Sequence, residues 1–165
     1  MPSKESVHNT HIDEKIRALH RALLDIVSVM NRPQRDEAMV QAAGISLDRA
    51  LFPLLVGIER FGPIGVVDMA ERVGRDYTTV SRQVAKLESL GLVERKGSAA
   101  DRRVREATLT QKGKAMTDLV GGARERMGRA IFASWQPRDV EDLVRLTRKF
   151  ADDINGDVSA DPGNP

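Results

Sequence analysis

Apolar residues recur at spacings of three and four in several stretches of the chain, and glycine and proline mark the breaks between them. Ile12, Ile16, Leu19, Leu23, Ile26, Val27 and Met30 make one stripe, which predicts an amphipathic helix over 12–32. Pro33 ends it, because proline disfavours helix in the residue before it. Residues 1–11 are polar and read as a flexible leader. The stretch 32–44 is mixed and reads as a connection with a helical turn at 36–42. Ser46 suits the N-cap of a helix over 47–61. Pro53 lies inside that pattern, where it removes a backbone donor and crowds the carbonyl of Arg49, so a kink or a late start is expected. Gly62-Pro63 stops the helix, and Ile64-Gly65 suit a short strand.

Beyond that point the signals are closely spaced. Val66 to Val73 form a short helix with Val67, Ala70 and Val73 inward, ended by Gly74 in a C-terminal capping position. Asp76 or Thr78 caps the next helix, which runs to about Leu90 and stops at Gly91. Leu92–Arg95 and Val104–Thr108 are the strands of a hairpin whose tip is Lys96–Asp101. Thr110 caps a long helix with Met116, Leu119, Val120, Ala123, Met127, Ala130 and Ile131 apolar. Gly121-Gly122 lower helix propensity within it, so a bend is expected there. Trp135 closes it. Pro137 fits the first turn of a last helix, with Val140, Leu143, Val144, Phe150 and Ile154 on one face. Residues 155–165 are polar and rich in Gly and Pro, and read as a disordered tail. The fold class is mainly α with one small β-hairpin. A short helix, a turn, a second helix and a charged hairpin follow in the order of a winged helix-turn-helix, which points to double-stranded DNA.

Charge adds to this picture through its distribution. The net charge is only +2, yet Arg72 to Arg105 hold nine basic residues against four acidic ones, and Ala151 to Pro165 hold four acids and no base. A basic middle suits a polyanion on one face. The helix after Asp76 sorts its residues: Val80, Val84 and Leu87 fall on a core face, whereas Thr79, Arg82, Gln83 and Lys86 share another, with Thr78 at its start. Arg can pair bidentately with guanine, Gln with adenine, and Thr can contact a phosphate or a thymine methyl. The hairpin crowds Lys96, Arg102, Arg103 and Arg105 into a segment with little apolar content, as a wing entering a minor groove requires. Asp101, paired with Arg103, would brace that wing.

Two motifs carry a family resemblance. Asp101-Arg102-Arg103 followed by Leu109-Thr110-Gln111-Lys112-Gly113 resembles the wing signature of the MarR (multiple antibiotic resistance regulator) family, and so does the run from Asp76 to Arg95, DYTTVSRQVAKLESLGLVER. The motifs cover about 46–113, and the helix order covers the whole chain. The resemblance implies a single domain over 12–154, with the winged helix-turn-helix at 46–113 and dimerisation helices at 12–32 and 110–154. It implies a homodimeric repressor on a pseudo-palindromic operator, released by a small molecule, often an aromatic acid in this family. Thr78, Thr79, Ser81, Arg82, Gln83 and Lys86 inherit the major-groove role, Arg103 the minor-groove role and Asp101 the bracing role. Pro53 and Gly121-Gly122 are not signature features.

Other classes are weaker. The chain has no cysteine, which excludes disulfides, thiolate metal sites and cysteine nucleophiles. It contains no G-x-S-x-G, no phosphate-cradling glycine loop and no H-E-x-x-H, so no enzyme and no cofactor are expected. One alternative is a metal-responsive winged-helix sensor using His8, His11 and Asp13; another is a winged helix used for protein contacts, which would not need four wing cations. His20 suits the lining of an effector pocket or an exposed helix face. No apolar run approaches membrane-spanning length and no signal peptide begins the chain, so the expected setting is the cytoplasm.

Overall fold

A computed structural model describes residues 4–100 and 103–159, with side chains over 11–100 and 103–156. Its elements are α1 (Lys4–Met30), α2 (Pro33–Ala43), α3 (Phe52–Phe61), β1 (Ile64–Gly65), α4 (Val66–Val73), α5 (Tyr77–Ser89), β2 (Val93–Gly97), β3 (Arg105–Leu109), α6 (Gln111–Ile131) and α7 (Pro137–Ser159). The chain divides after Ala123 into two compact units. The three strands form one antiparallel sheet in the order β1-β3-β2, with Ile64 opposite Ala107 and Arg95 opposite Ala107 on its other side.

The core of the first unit lies between α3, α4, α5 and the sheet. Leu54, Leu55, Ile58, Met69, Val80, Val84, Leu87, Leu92 and Val93 are all at most 2% exposed. Burying such a side chain contributes about 1.5–3 kcal/mol, so this cluster fixes how α4 and α5 sit together. A second cluster joins α2, α3 and α6 through Ala43, Phe52, Val120 and Ala123. The core face predicted for α5 is the one observed.

Several boundaries differ from the sequence reading, each for a local reason. Residues 33–43 form a full helix rather than a connection. Pro33 serves both as the stop of α1 and as a first-turn residue of α2, where its missing N–H is not needed, and Gly44 closes the helix at φ 65. Ser46 caps nothing. Asp48 Oδ1 accepts from Ala50 N at 2.7 Å instead, and α3 starts late, with Pro53 in its first turn. In α4 the inward set is Val66, Met69, Ala70 and Val73, and Val67 is 58% exposed. Helix α1 starts at Lys4, inside the expected leader, because no Gly or Pro interrupts 4–30. Helix α7 runs through Gly156 to Ser159, into the expected tail. Helix α6 is continuous through Gly121-Gly122.

Candidate nucleic-acid interface

The positions of α4 and α5 follow from their ends. Gly74 adopts φ 62, and the N–H groups of Gly74 and Arg75 return to carbonyls at the end of α4. This left-handed residue turns the chain sharply enough for α5 to begin two residues later. Asp76, not Thr78, is the N-cap: its Oδ1 accepts from Thr79 N at 2.8 Å. Those hydrogen bonds from Thr79, with the positive charge of Arg82 nearby, hold the Asp76 carboxyl below the usual carboxylate range. The helix therefore keeps a charged cap at neutral pH.

With Val80, Val84 and Leu87 buried, the opposite face of α5 is left to solvent. Thr78, Arg82 and Lys86 are exposed, and Thr79 and Gln83 are half-buried on its flank. Ser81 lies on the other flank, nearer Tyr77 and Glu88, apart from the Arg82–Lys86 row. Arg82, Gln83 and Lys86 border a shallow groove whose far wall is the 48–51 turn. Gln83 is already engaged: its Oε1 accepts from Arg75 Nη1 at 3.0 Å, and the same Nη1 donates to the carbonyl of Ala50 at 2.9 Å. Arg75 also lies near Asp36 of α2, whose carboxyl is raised by burial and partly lowered by that guanidinium.

The wing is tied to α5 rather than standing free. Arg95 on β2 donates from Nε and Nη2 to Glu88 Oε2 at 2.9 and 2.5 Å. Arg105 on β3 donates from Nη2 to the carbonyl of Arg95 at 2.8 Å. Hydrogen bonds from Arg95, then the charges of Arg95 and Arg105, hold Glu88 below its usual range. Arg105 thus opens β3 opposite Gly97, at the tip end of the ladder, and its guanidinium reaches across to Arg95. Lys96 pairs with Glu94 at 2.6 Å and is exposed, as is Arg103. Asp101 and Arg102, and with them the expected brace, lie outside the described residues. Ser98, 7% exposed, organises the tip: its N–H bonds the Val104 carbonyl at 2.8 Å and its Oγ accepts from Ala100 N at 3.2 Å.

The motif Leu109-Thr110-x-x-Gly113 forms the joint between wing, α5 and α6. Thr110 Oγ1 donates to the Gly91 carbonyl at 2.7 Å and accepts from Gly113 N at 3.0 Å, so it caps α6 while holding the end of α5. Lys112 Nζ donates to the Leu90 carbonyl at 2.9 Å. Gly113 has no room for a side chain, since a Cβ there would lie 2.0 Å from the Leu92 oxygen.

Sequence reasoning missed four residues of this region. Tyr77, in the first turn of α5, is 56% exposed. Arg75 acts across elements, and Glu88 and Arg95 pair around the turn at Gly91, where no helical or strand periodicity links them. Among the described residues no group of three His, Cys, Asp or Glu is placed to hold a metal ion, and the His8 side chain of the metal-sensor alternative lies outside them. No described helix is long and apolar enough to cross a membrane.

Known proteins share this arrangement. A protein-family model described as HVO_A0114 matches residues 48–106. An uncharacterized HTH-type transcriptional regulator of Bacillus subtilis, YxaD, is 31% identical over 111 residues, which cover 65% of this chain and 78% of that one. Among solved structures, a MarR family protein from Bacillus stearothermophilus matches with a TM-score of 0.70 at 20% identity, covering 87% of this chain and 97% of its own. A transcriptional regulator from Thermotoga maritima matches with a TM-score of 0.61 at 22% identity, covering 87% and 98%.

Proposed function

We propose that this chain, which belongs to the MarR family of winged helix-turn-helix transcriptional regulators, acts as a homodimer that binds a pseudo-palindromic site in double-stranded DNA and represses transcription there until a small molecule releases it. The observation that carries the DNA role is the division of α5. One face is closed into the core, and the other presents Thr78, Thr79, Arg82, Gln83 and Lys86 beside a cationic wing. An α-helix fits the major groove, and these side chains are the types that read base edges there. Arg103 and Lys96 on the wing are the candidates for the adjacent minor groove and its phosphates. Arg105, also exposed on the wing, braces it through the Arg95 carbonyl and stands beside these two as a further cation in this reading.

The homodimer is supported by apolar surface. Ile12, Ile16 and Leu19 share one face of α1 and are 45–57% exposed, and Leu143, Val144, Phe150 and Ile154 share one face of α7 and are 37–66% exposed. Contiguous apolar surface of this kind marks association in soluble proteins. The repressor and effector parts rest on the family, in which an aromatic acid often shifts the spacing of the two reading heads. This reading puts the protein in the cytoplasm and gives it no catalytic role.

The test is selection of bound duplexes from a randomised library with the full chain, under competitor DNA. Recovery of an inverted repeat with half-sites about one helical turn apart is expected. Recovery of no preferred sequence would overturn the reading.

A further inference from the structure

We infer that Arg75 is a specificity-positioning residue, which turns the carbonyl of Gln83 toward itself and so sets the amide hydrogens of Gln83 to lead in reading DNA. The inference rests on the DNA-reading role of α5 proposed above and adds which bases Gln83 selects.

The geometry is a three-way junction. Arg75 follows the left-handed turn at Gly74 and precedes the cap at Asp76, so its backbone is fixed from both sides. Its Nη1 donates to two acceptors, the Ala50 carbonyl at 2.9 Å and Gln83 Oε1 at 3.0 Å. A guanidinium has donors only, so the group that Gln83 turns toward it must be the carbonyl, and the amide nitrogen is the end left over. Arg75 and Gln83 are both half-buried, which favours the pairing over solvation of each alone. The Ala50 carbonyl belongs to the turn ahead of α3, so the same guanidinium also sets the distance of α5 from that turn.

The chemical consequence lies in the base code. A free Gln pairs with adenine by accepting from N6 and donating to N7. Adenine needs the oxygen and the amide of Gln83 side by side on one base edge. With the oxygen turned to Arg75, although its second lone pair is open, the N7 bond is the one that Gln83 makes most readily, and that bond is equally available on guanine. Guanine adds a second acceptor, O6, and thymine offers O4. Gln83 held by Arg75 therefore favours guanine or thymine over adenine, the reverse of what its residue type alone suggests.

The experiment compares library selections with the full-length wild type, R75M, Q83A and the double variant. One base pair in each half-site should lose its preference in Q83A, which identifies the pair that Gln83 reads. At that pair the wild type should disfavour adenine, and R75M should shift toward adenine by roughly tenfold. The double variant should match Q83A in base preference at that pair, because Arg75 reaches that base through Gln83, whatever its bond to Ala50 adds to overall affinity. If R75M does not yield folded protein, R75A takes its place with the same expectation, since it too removes the donor that holds Gln83 Oε1. An unchanged base preference in the Arg75 variant would overturn this inference while leaving DNA reading intact. Absence of any preferred sequence in the wild type would overturn DNA reading and this inference together.

Discussion

Arg95 and Glu88 lock the wing to the last turn of α5, with two hydrogen bonds from one guanidinium meeting a single carboxylate oxygen at 2.9 and 2.5 Å. Arg105 closes the arrangement by bonding the Arg95 carbonyl from the neighbouring strand. The pair is partly exposed, with side chains 28% and 36% accessible, so its value to stability is small. Its effect is to fix the angle between wing and helix.

Glu88→Ala should therefore weaken DNA binding several-fold while changing unfolding stability by no more than about 1 kcal/mol. Simple repulsion between a carboxylate and phosphate predicts tighter binding instead. A fluorescence-anisotropy titration decides between the two signs, and tighter binding would remove the bracing role.

The same carboxylate has a defined pH dependence. Its folded value is depressed by Arg95 and Arg105, so its contribution is complete above the ordinary glutamate range and is lost as pH falls through the lower folded value. Wild type and Glu88→Gln should differ in Tm at neutral pH and converge as pH falls below the ordinary glutamate range. Thermal unfolding across that range checks it; a gap that widens on acidification would contradict the depressed value.

Arg82→Ala should lose discrimination at particular base pairs by about 1–3 kcal/mol. Lys96→Ala should weaken all sequences alike and lower the salt slope by about 0.9 for each phosphate that is no longer neutralised. A uniform loss for Arg82→Ala, with base preference unchanged, would remove its direct-readout role.

Gly113→Ala should destabilise the protein by about 1–3 kcal/mol or more, because the obstacle is the Leu92 backbone oxygen rather than a movable side chain. Gly121→Ala, with no atom within 4 Å of an added Cβ, should be neutral or stabilising by up to about 1 kcal/mol. Denaturant unfolding of the two variants measures both signs.

Assembly can be probed at the exposed stripes. Ile16→Glu and Val144→Glu place a charge where 57% and 66% of the side chain is accessible in the single chain, so neither disturbs a monomer's core. If these faces meet in a dimer, each variant should sediment as a monomer at micromolar concentration, where the wild type is dimeric. Wild-type dimers unaffected by either change would place the interface elsewhere.

The helix-turn-helix and its hairpin are legible in the sequence because their signals are short-range. Gly74 and Gly91 end helices, Asp76 and Thr110 begin them, and Val80, Val84 and Leu87 declare one face of α5. Longer-range facts are not legible there. Pro33 reads as a stop, yet a proline that ends one helix can open the next. Val67 fits the apolar period as well as Val66, and only the packing of Met69 and Ala70 decides the register. Arg105 reads as a wing cation by charge, and the sequence does not show that its guanidinium also bonds the Arg95 carbonyl. Arg75 gives no signal, since its partners, Ala50 and Gln83, come together only through the fold.

The close approach of Gly113 to Leu92 has a mechanical side. Lys112, Thr110 and the Thr110 backbone N–H engage three successive carbonyls, those of Leu90, Gly91 and Leu92, just past the end of α5. Such a joint has no slack. Torque on the first turn of α6 would meet these bonds rather than a loop and would swing α5 about its C-terminal end. Helix α5 has 13 residues and so spans about 20 Å. A swing of about 5° moves its far tip by about 1.7 Å, enough to carry a donor out of hydrogen-bonding range. A rotation imposed at the first turn of α6 would, through this joint, reach Thr78 as a base-scale displacement.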